Sequence, residues 1–261
     1  MIKTLVAIEV DLASSLAIRY ACQLGSLIEL ELHPIYVKEP PPEVPTIGTG
    51  WVRHTWEREI VETGKEEIQE MLAGEMDSCP QLQAPRVLYG ERQYELLKIM
   101  EHEPFDLYVE GAPYPFTPAN IQRRLSARFY QRVGTPLIWL RMLRKINQVL
   151  APCFDPAGTR HQVLTLQKIW AGCKAPVHFW APPEAGEAMQ QEVAEGQNLL
   201  RNAGCETKLL VDDRIQEGGP APEVIKDYGL VVVALERAVR KDSPRLQWLA
   251  QVKLPLMLVL H

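Results

Sequence analysis

The chain has 261 residues, 46% of them hydrophobic and 23% charged. That is room for one large domain or two of ordinary size, in the balance of a globular and not a disordered protein. A formal net charge of −5 argues against a nucleic-acid binder, which carries a basic excess able to track phosphates. No apolar run approaches the roughly 20 residues that span a bilayer. The opening stretch meets Glu9 too early for a secretory leader, so a cytoplasmic protein with neither membrane nor nucleic-acid partners is expected.

Short apolar runs alternate with longer amphipathic segments, the pattern of βα units around a parallel sheet. In chain order the first half predicts a strand over Thr4–Ile8, a helix over Ala13–Leu24, a strand over Leu27–Val37 and a helix over Trp56–Glu75. There follow a strand over Pro85–Tyr89, a helix over Tyr94–His102, a strand over Leu107–Glu110, a helix over Ala119–Arg132 and a strand over Leu137–Leu140. Asp11 or Ser14 can cap the first helix and Gly25 can stop it. Pro104 ends the third helix. Residues 39–50, rich in proline, read as an inserted surface connection.

The second half predicts strands over Gln148–Pro152, Pro176–Trp180, Thr207–Val211, Leu230–Leu235 and Leu256–Leu260. Its helices fall over Thr159–Ala171, Glu187–Ala203, Glu223–Tyr228 and Ser243–Val252. The order is the first half's repeated. Leu5-Val6-Ala7 matches Val149-Leu150-Ala151, Asp11 falls on Asp155, His33 falls one residue from His178, and Pro136 corresponds to Pro255. Two domains follow, residues 1–141 and 142–261, joined with no flexible spacer. Pairing the two last strands would cover two otherwise exposed edges and make an intramolecular pseudo-dimer, itself able to form a homodimer.

Five scattered cysteines, 22, 79, 153, 173 and 205, lack C-x-x-C spacing and read as reduced thiols, with no disulfide frame or zinc site.

These residues resemble the universal stress protein family. Leu5-Val6-Ala7-Ile8 followed by Glu9-Val10-Asp11-Leu12-Ala13-Ser14, Leu32-His33, Asp106 through Gly111, and Thr135-Pro136 before Leu137-Ile138-Trp139-Leu140 carry the likeness, and the second half carries it again. The resemblance implies an α/β fold of two tandem doubly wound domains, each a five-stranded parallel sheet with helices on both faces, of the adenine nucleotide alpha hydrolase type. In many members ATP binds at the carboxyl end of the sheet, in a loop of the form G-x-x-G, nine residues, then G-S or G-T. Glycines there let backbone N–H groups approach phosphates.

Gly111 fits the first glycine. Tyr114 stands at the second, Pro113, Pro115 and Pro118 each remove a donor, and Arg124-Leu125-Ser126 replaces the Gly-Ser pair. Glu9 replaces an Asp. A residual nucleotide site would use Glu9, Asp11, Gly111 and Ser126. In the second half no glycine follows Val231-Val232-Val233, Glu236 sets a negative charge where phosphates belong, and Cys153 stands where the first-strand acid is expected. Arg124, Arg128 and Arg132 share one face of the expected 119–132 helix, together with neighbouring Arg123, and read as a solvated face or an anion-binding fork. Asp212-Asp213 reads as a polar turn or a cation site. H-x-G-H, S-G-G-x-D-S, Walker and G-x-S-x-G patterns are all missing, and His33 and His178 sit in apolar strands as core residues. The expectation is a non-catalytic stress-type protein with no cofactor, metal or catalytic residue, acting through protein or small-ligand contacts. The alternative is an ATP- or AMP-binding sensor that uses the first domain only.

Overall fold

The computed structural model describes residues 1–40, 51–112, 115–210, 214–216 and 218–261. Most of the proline-rich insertion, Pro113, Tyr114, and the Asp212-Asp213 pair lie outside the described residues.

Five apolar runs of the first half form parallel strands: β1 (Ile2–Ile8), β2 (Leu30–Lys38), β3 (Arg86–Tyr89), β4 (Leu107–Gly111) and β5 (Leu137–Leu140). Between them run α1 (Leu12–Gly25), α2 (Trp51–Met76), α3 (Arg92–His102), α4 (Pro118–Leu125) and α5 (Arg128–Arg132). The second half supplies β6 (Val149–Pro152), α6 (Pro156–Trp170), β7 (Val177–Trp180), α7 (Glu187–Asn202) and β8 (Thr207–Leu210). A small antiparallel pair that the periodicity does not foretell, β9 (Ile215–Gln216) with β10 (Gly219–Pro220), comes next. The chain ends with α8 (Pro222–Ile225), β11 (Leu230–Leu235), α9 (Pro244–Gln251) and β12 (Leu256–Leu260).

Ten strands make one sheet in the order β3-β2-β1-β4-β5-β12-β11-β6-β7-β8. Every pairing is parallel except the central one, where β5 meets β12 antiparallel with Ile138 opposite Met257. The order therefore reads the same from either edge. As expected, the two last strands cover each other, and two buried apolar edges disappear into one ladder.

Alternation along the strands divides the interior in two. Val6 and Ile8 face a layer containing α1, α2, α6 and α7, while Leu5 and Ala7 face one containing α3, α4, α5, α8 and α9. Helices on both faces are what a parallel sheet needs to bury both sides.

Landmarks of the repeat recur as contacts. Asp11 caps α1 through Ser14 N at 2.7 Å, and Asp155 caps α6 through Gly158 N at 2.6 Å. Tyr108 N donates to Pro136 O, and Val231 N to Pro255 O, both at 3.0 Å. The strand register corrects one correspondence. Leu5 lies opposite His33 and Leu150 opposite His178, so the strands match at 145 (150 − 5), not 144, and the turn into α6 is one residue shorter. Cys153 thus corresponds to Ile8, and Phe154, not Cys153, takes the place of Glu9.

Two further expectations are overturned. Cys22, near the end of α1, and Cys79, just after α2, form a disulfide, so the cysteines are not all reduced thiols; helix packing brings together residues that sequence spacing leaves unrelated. The helix expected over 119–132 is two helices. Ala127 is extended (φ −69°, ψ 148°), and the Gln131 amide caps the freed Leu125 carbonyl at 2.6 Å. Arg124, Arg128 and Arg132 therefore share no face.

Candidate functional site

Parallel strands present their carboxyl ends, and the loops that follow them, on one edge of the sheet; in open α/β sheets that edge is where ligands bind. Here β1 delivers Glu9 and Asp11, β4 delivers Glu110 and Gly111, α3 begins at Arg92, and α4 ends beside Arg124.

Glu110 is completely buried. Its carboxylate accepts from Tyr108 Oη at 2.9 Å and Tyr130 Oη at 2.5 Å, and pairs with Arg124 Nη2 at 2.5 Å. Arg92 Nη1 stands 3.7 Å away, and Arg92 Nε pairs with Glu9 at 2.9 Å. Arg124 Nε also donates to the Tyr130 hydroxyl, and its guanidinium lies 5.1 Å from the Tyr130 ring and 5.0 Å from that of Trp139. Burial by itself pushes the Glu110 carboxyl up. The charges of Arg124 and Arg92, then the Tyr130 and Tyr108 hydroxyls, outweigh it and hold the group below the usual carboxylate range. Burial in turn pushes both phenols well above their ordinary value. Both arginines stay firmly charged: burial opposes the charge, and the surrounding acids and phenols more than restore it.

A cleft of about 360 Å³ opens against this network, lined by Arg92, Gln93, Asn120, Arg123, Arg124 and Tyr130 among others. A larger cleft of about 880 Å³ lies between α4 and α9. Its lining includes Phe116, Thr117 and Gln247 and none of the charged residues around Glu110.

The residues expected for a nucleotide site separate into two groups. Glu9, Asp11 and Gly111 gather around the start of α1. The Glu9 amide donates to Ser14 Oγ at 2.7 Å, Asp11 is spent on the helix cap, and a Cβ on Gly111 would lie 2.3 Å from Ala13 O. Gly111 is thus required by helix–strand contact, whatever else approaches it. Ser126 is the exposed C-cap of α4, its N–H bonded to Gln122 O, at the far end of that helix from the turn that holds the other three. Glu110, Arg92, Tyr108 and Tyr130 escape the reading of the sequence. A lone acid inside an apolar strand, two residues from a tyrosine on the same face, is the one signal they leave.

The second half fills the matching place differently. Phe154 packs against Trp180 and Trp248, with centroids 6.2 and 5.7 Å away. Arg245 lies 4.5 Å over the Phe154 ring and 3.4 Å from Asp155. Burial pushes the Cys153 thiol up to about 12, an inert side chain. Glu236 is exposed and lines a cleft of about 520 Å³ with Asp242 and Arg240. His178 Nδ1 lies 2.9 Å from Tyr228 Oη, and His33 packs edge-on to Phe105 at 5.7 Å. Among the described residues no helix is long and apolar enough to cross a membrane, and no group of three or more His, Cys, Asp or Glu could hold a metal.

The fold and the placement of the site define an α/β protein of the doubly wound class, with its candidate site past the carboxyl ends of parallel strands. More particularly, the fold is that of the universal stress proteins. A universal stress protein from Archaeoglobus fulgidus DSM 4304 superposes with a TM-score of 0.63 at 11% identity, over 99% of this chain and 96% of that one. A candidate universal stress protein from Pseudomonas aeruginosa UCBPP-PA14 gives 0.56 at 12% identity, over 99% and 92%. No family model matches the chain, and no curated protein matches it in sequence.

Proposed function

We propose that the chain is a tandem universal stress-type protein, residues 1–141 and 142–261 forming an intramolecular pseudo-dimer. It works in stress response in the cytoplasm without catalysis, through protein or small-ligand contacts and without ATP. The observation that carries the loss of ATP is Arg124. It stands where the family's loop has its Gly-Ser pair, and its guanidinium is folded inward onto buried Glu110 instead of leaving backbone N–H groups open to phosphates. The segment before it is wound into α4, whose first residue is Pro118, so that stretch is helix and not an open cradle. In the second half Phe154 and the exposed Glu236 support the same reading, since neither suits a polyphosphate.

Isothermal titration with ATP and Mg²⁺ is expected to give no binding heat, and denatured protein to release no adenine-absorbing species. Micromolar affinity, or co-purified adenine nucleotide, would establish the sensor that uses the first domain instead.

A further inference from the structure

The cleft beside Glu110 has a charge arrangement that the structural network does not use up. Arg92 is paired with Glu9 and Glu110, and Arg124 with Glu110. Arg123, the third guanidinium of the lining, has no carboxylate partner among the described residues and donates to Asn120 Oδ1 at 3.0 Å. Among the described residues, three guanidiniums line a cavity of about 360 Å³, and the two carboxylates paired with Arg92 and Arg124 are not part of its lining. Glu91, the nearest other acid in sequence, is occupied capping the amides of Gln93 and Tyr94.

We propose that this cleft binds a small oxyanion, a carboxylate or phosphate group on a molecule smaller than a nucleotide, between Arg92, Arg123 and Arg124. Guanidiniums suit such a guest because their planar forks present parallel donors to two oxygens. Two of the three are already held in place, Arg124 by Glu110 and two aromatic rings, Arg92 by Glu9 and Glu110, so little side-chain freedom is lost on binding. The Gln93 side-chain amide adds a neutral polar group to the lining, able to meet a hydroxyl or a further oxygen. The inference rests on the proposed small-ligand role and gives that role a chemical class.

Titration of the full chain with inorganic phosphate and, separately, with succinate, at matched ionic strength, tests it. Saturable binding of at least one is expected, weakened about tenfold or more by Arg123→Gln, the loss of one charged hydrogen-bond donor. Arg128→Gln removes an exposed arginine outside the lining and is expected to leave the affinity unchanged. The anion that binds names the group recognised. Absence of binding by both anions, binding indifferent to Arg123→Gln, or equal weakening by Arg128→Gln would overturn the proposal. None of these outcomes depends on ATP, whose own titration decides the nucleotide question separately.

Discussion

Glu110 Oε2 lies 2.5 Å from Arg124 Nη2, joining a carboxylate wholly shut off from solvent to a guanidinium left only 11% exposed. A buried charge survives when its partner and hydrogen bonds replace water, and Tyr108, Tyr130 and Arg92 complete that replacement. Glu110→Gln takes away the carboxylate paired with Arg124 and leaves Arg92 with Glu9 alone, for which a loss of about 3–5 kcal/mol is expected. Because the folded carboxyl is held below its ordinary range, its stabilisation is complete above about pH 4.3 and disappears as pH falls through the lower folded value. Urea midpoints followed from pH 7 to pH 3 should show this acid loss in the native protein and lack that component in the variant. Equal midpoints at pH 7 would contradict the role given to Glu110.

His178 offers a second pH dependence of the same sign. Burial first, and then the charge of Lys208, lower its tendency to take up a proton. The unfolded chain therefore binds the proton more readily, so stability is full above about pH 6.5 and declines as pH falls towards the lower folded value. Replacing His178 by Gln, which does not titrate, should flatten the stability profile just below pH 6.5. Ring resonances of His178 that titrate at or above the ordinary histidine value would contradict this.

Gly111 and Gly134 differ sharply in what a side chain would meet. A Cβ on Gly111 would stand 2.3 Å from the Ala13 carbonyl oxygen, whereas one on Gly134 meets nothing within 4 Å. Gly111→Ala must push β4 and the start of α1 apart, with an expected cost of about 1–3 kcal/mol or more. Gly134→Ala should be close to neutral. Chemical denaturation of both variants checks the contrast, which a Gly111→Ala protein of native stability would remove.

The Cys22–Cys79 bond predicts a thiol count. Denatured without reductant, the chain should show three reactive thiols, those of Cys153, Cys173 and Cys205, and five after reduction. Closing a loop across a separation of 57 residues, the bond should contribute about 2–4 kcal/mol, seen as a lower melting temperature of the Cys22→Ser, Cys79→Ser protein. The same count on protein quenched directly from cells tests the cytoplasmic placement, because a reducing compartment would leave five free thiols.

Patterns of period two and 3.6 made most elements legible. The runs around Leu5, Val109, Ile138, Val232 and Leu258 form strands because their residues bury on both faces, and the repeated order of elements foretold the arrangement read from either edge of the sheet. Asp11 could be seen as a cap, since capping is a contact within four residues of chain. The 119–132 region misled for the opposite reason. Its helical propensity is continuous, yet the helix breaks at extended Ala127, and Leu125, Phe129 and Tyr130 on either side of the break bury in the same core.

By itself, then, the sequence determined what is local: which segments are strand or helix, which turns are capped, and that one βα series occurs twice. Tertiary structure alone decided which distant side chains meet: Cys22 with Cys79, Glu110 with Arg92 and Arg124, and Phe154 at the place of Glu9. Those meetings depend on how helices pack on a twisted sheet and on a one-residue difference in turn length, and no period in the chain records either.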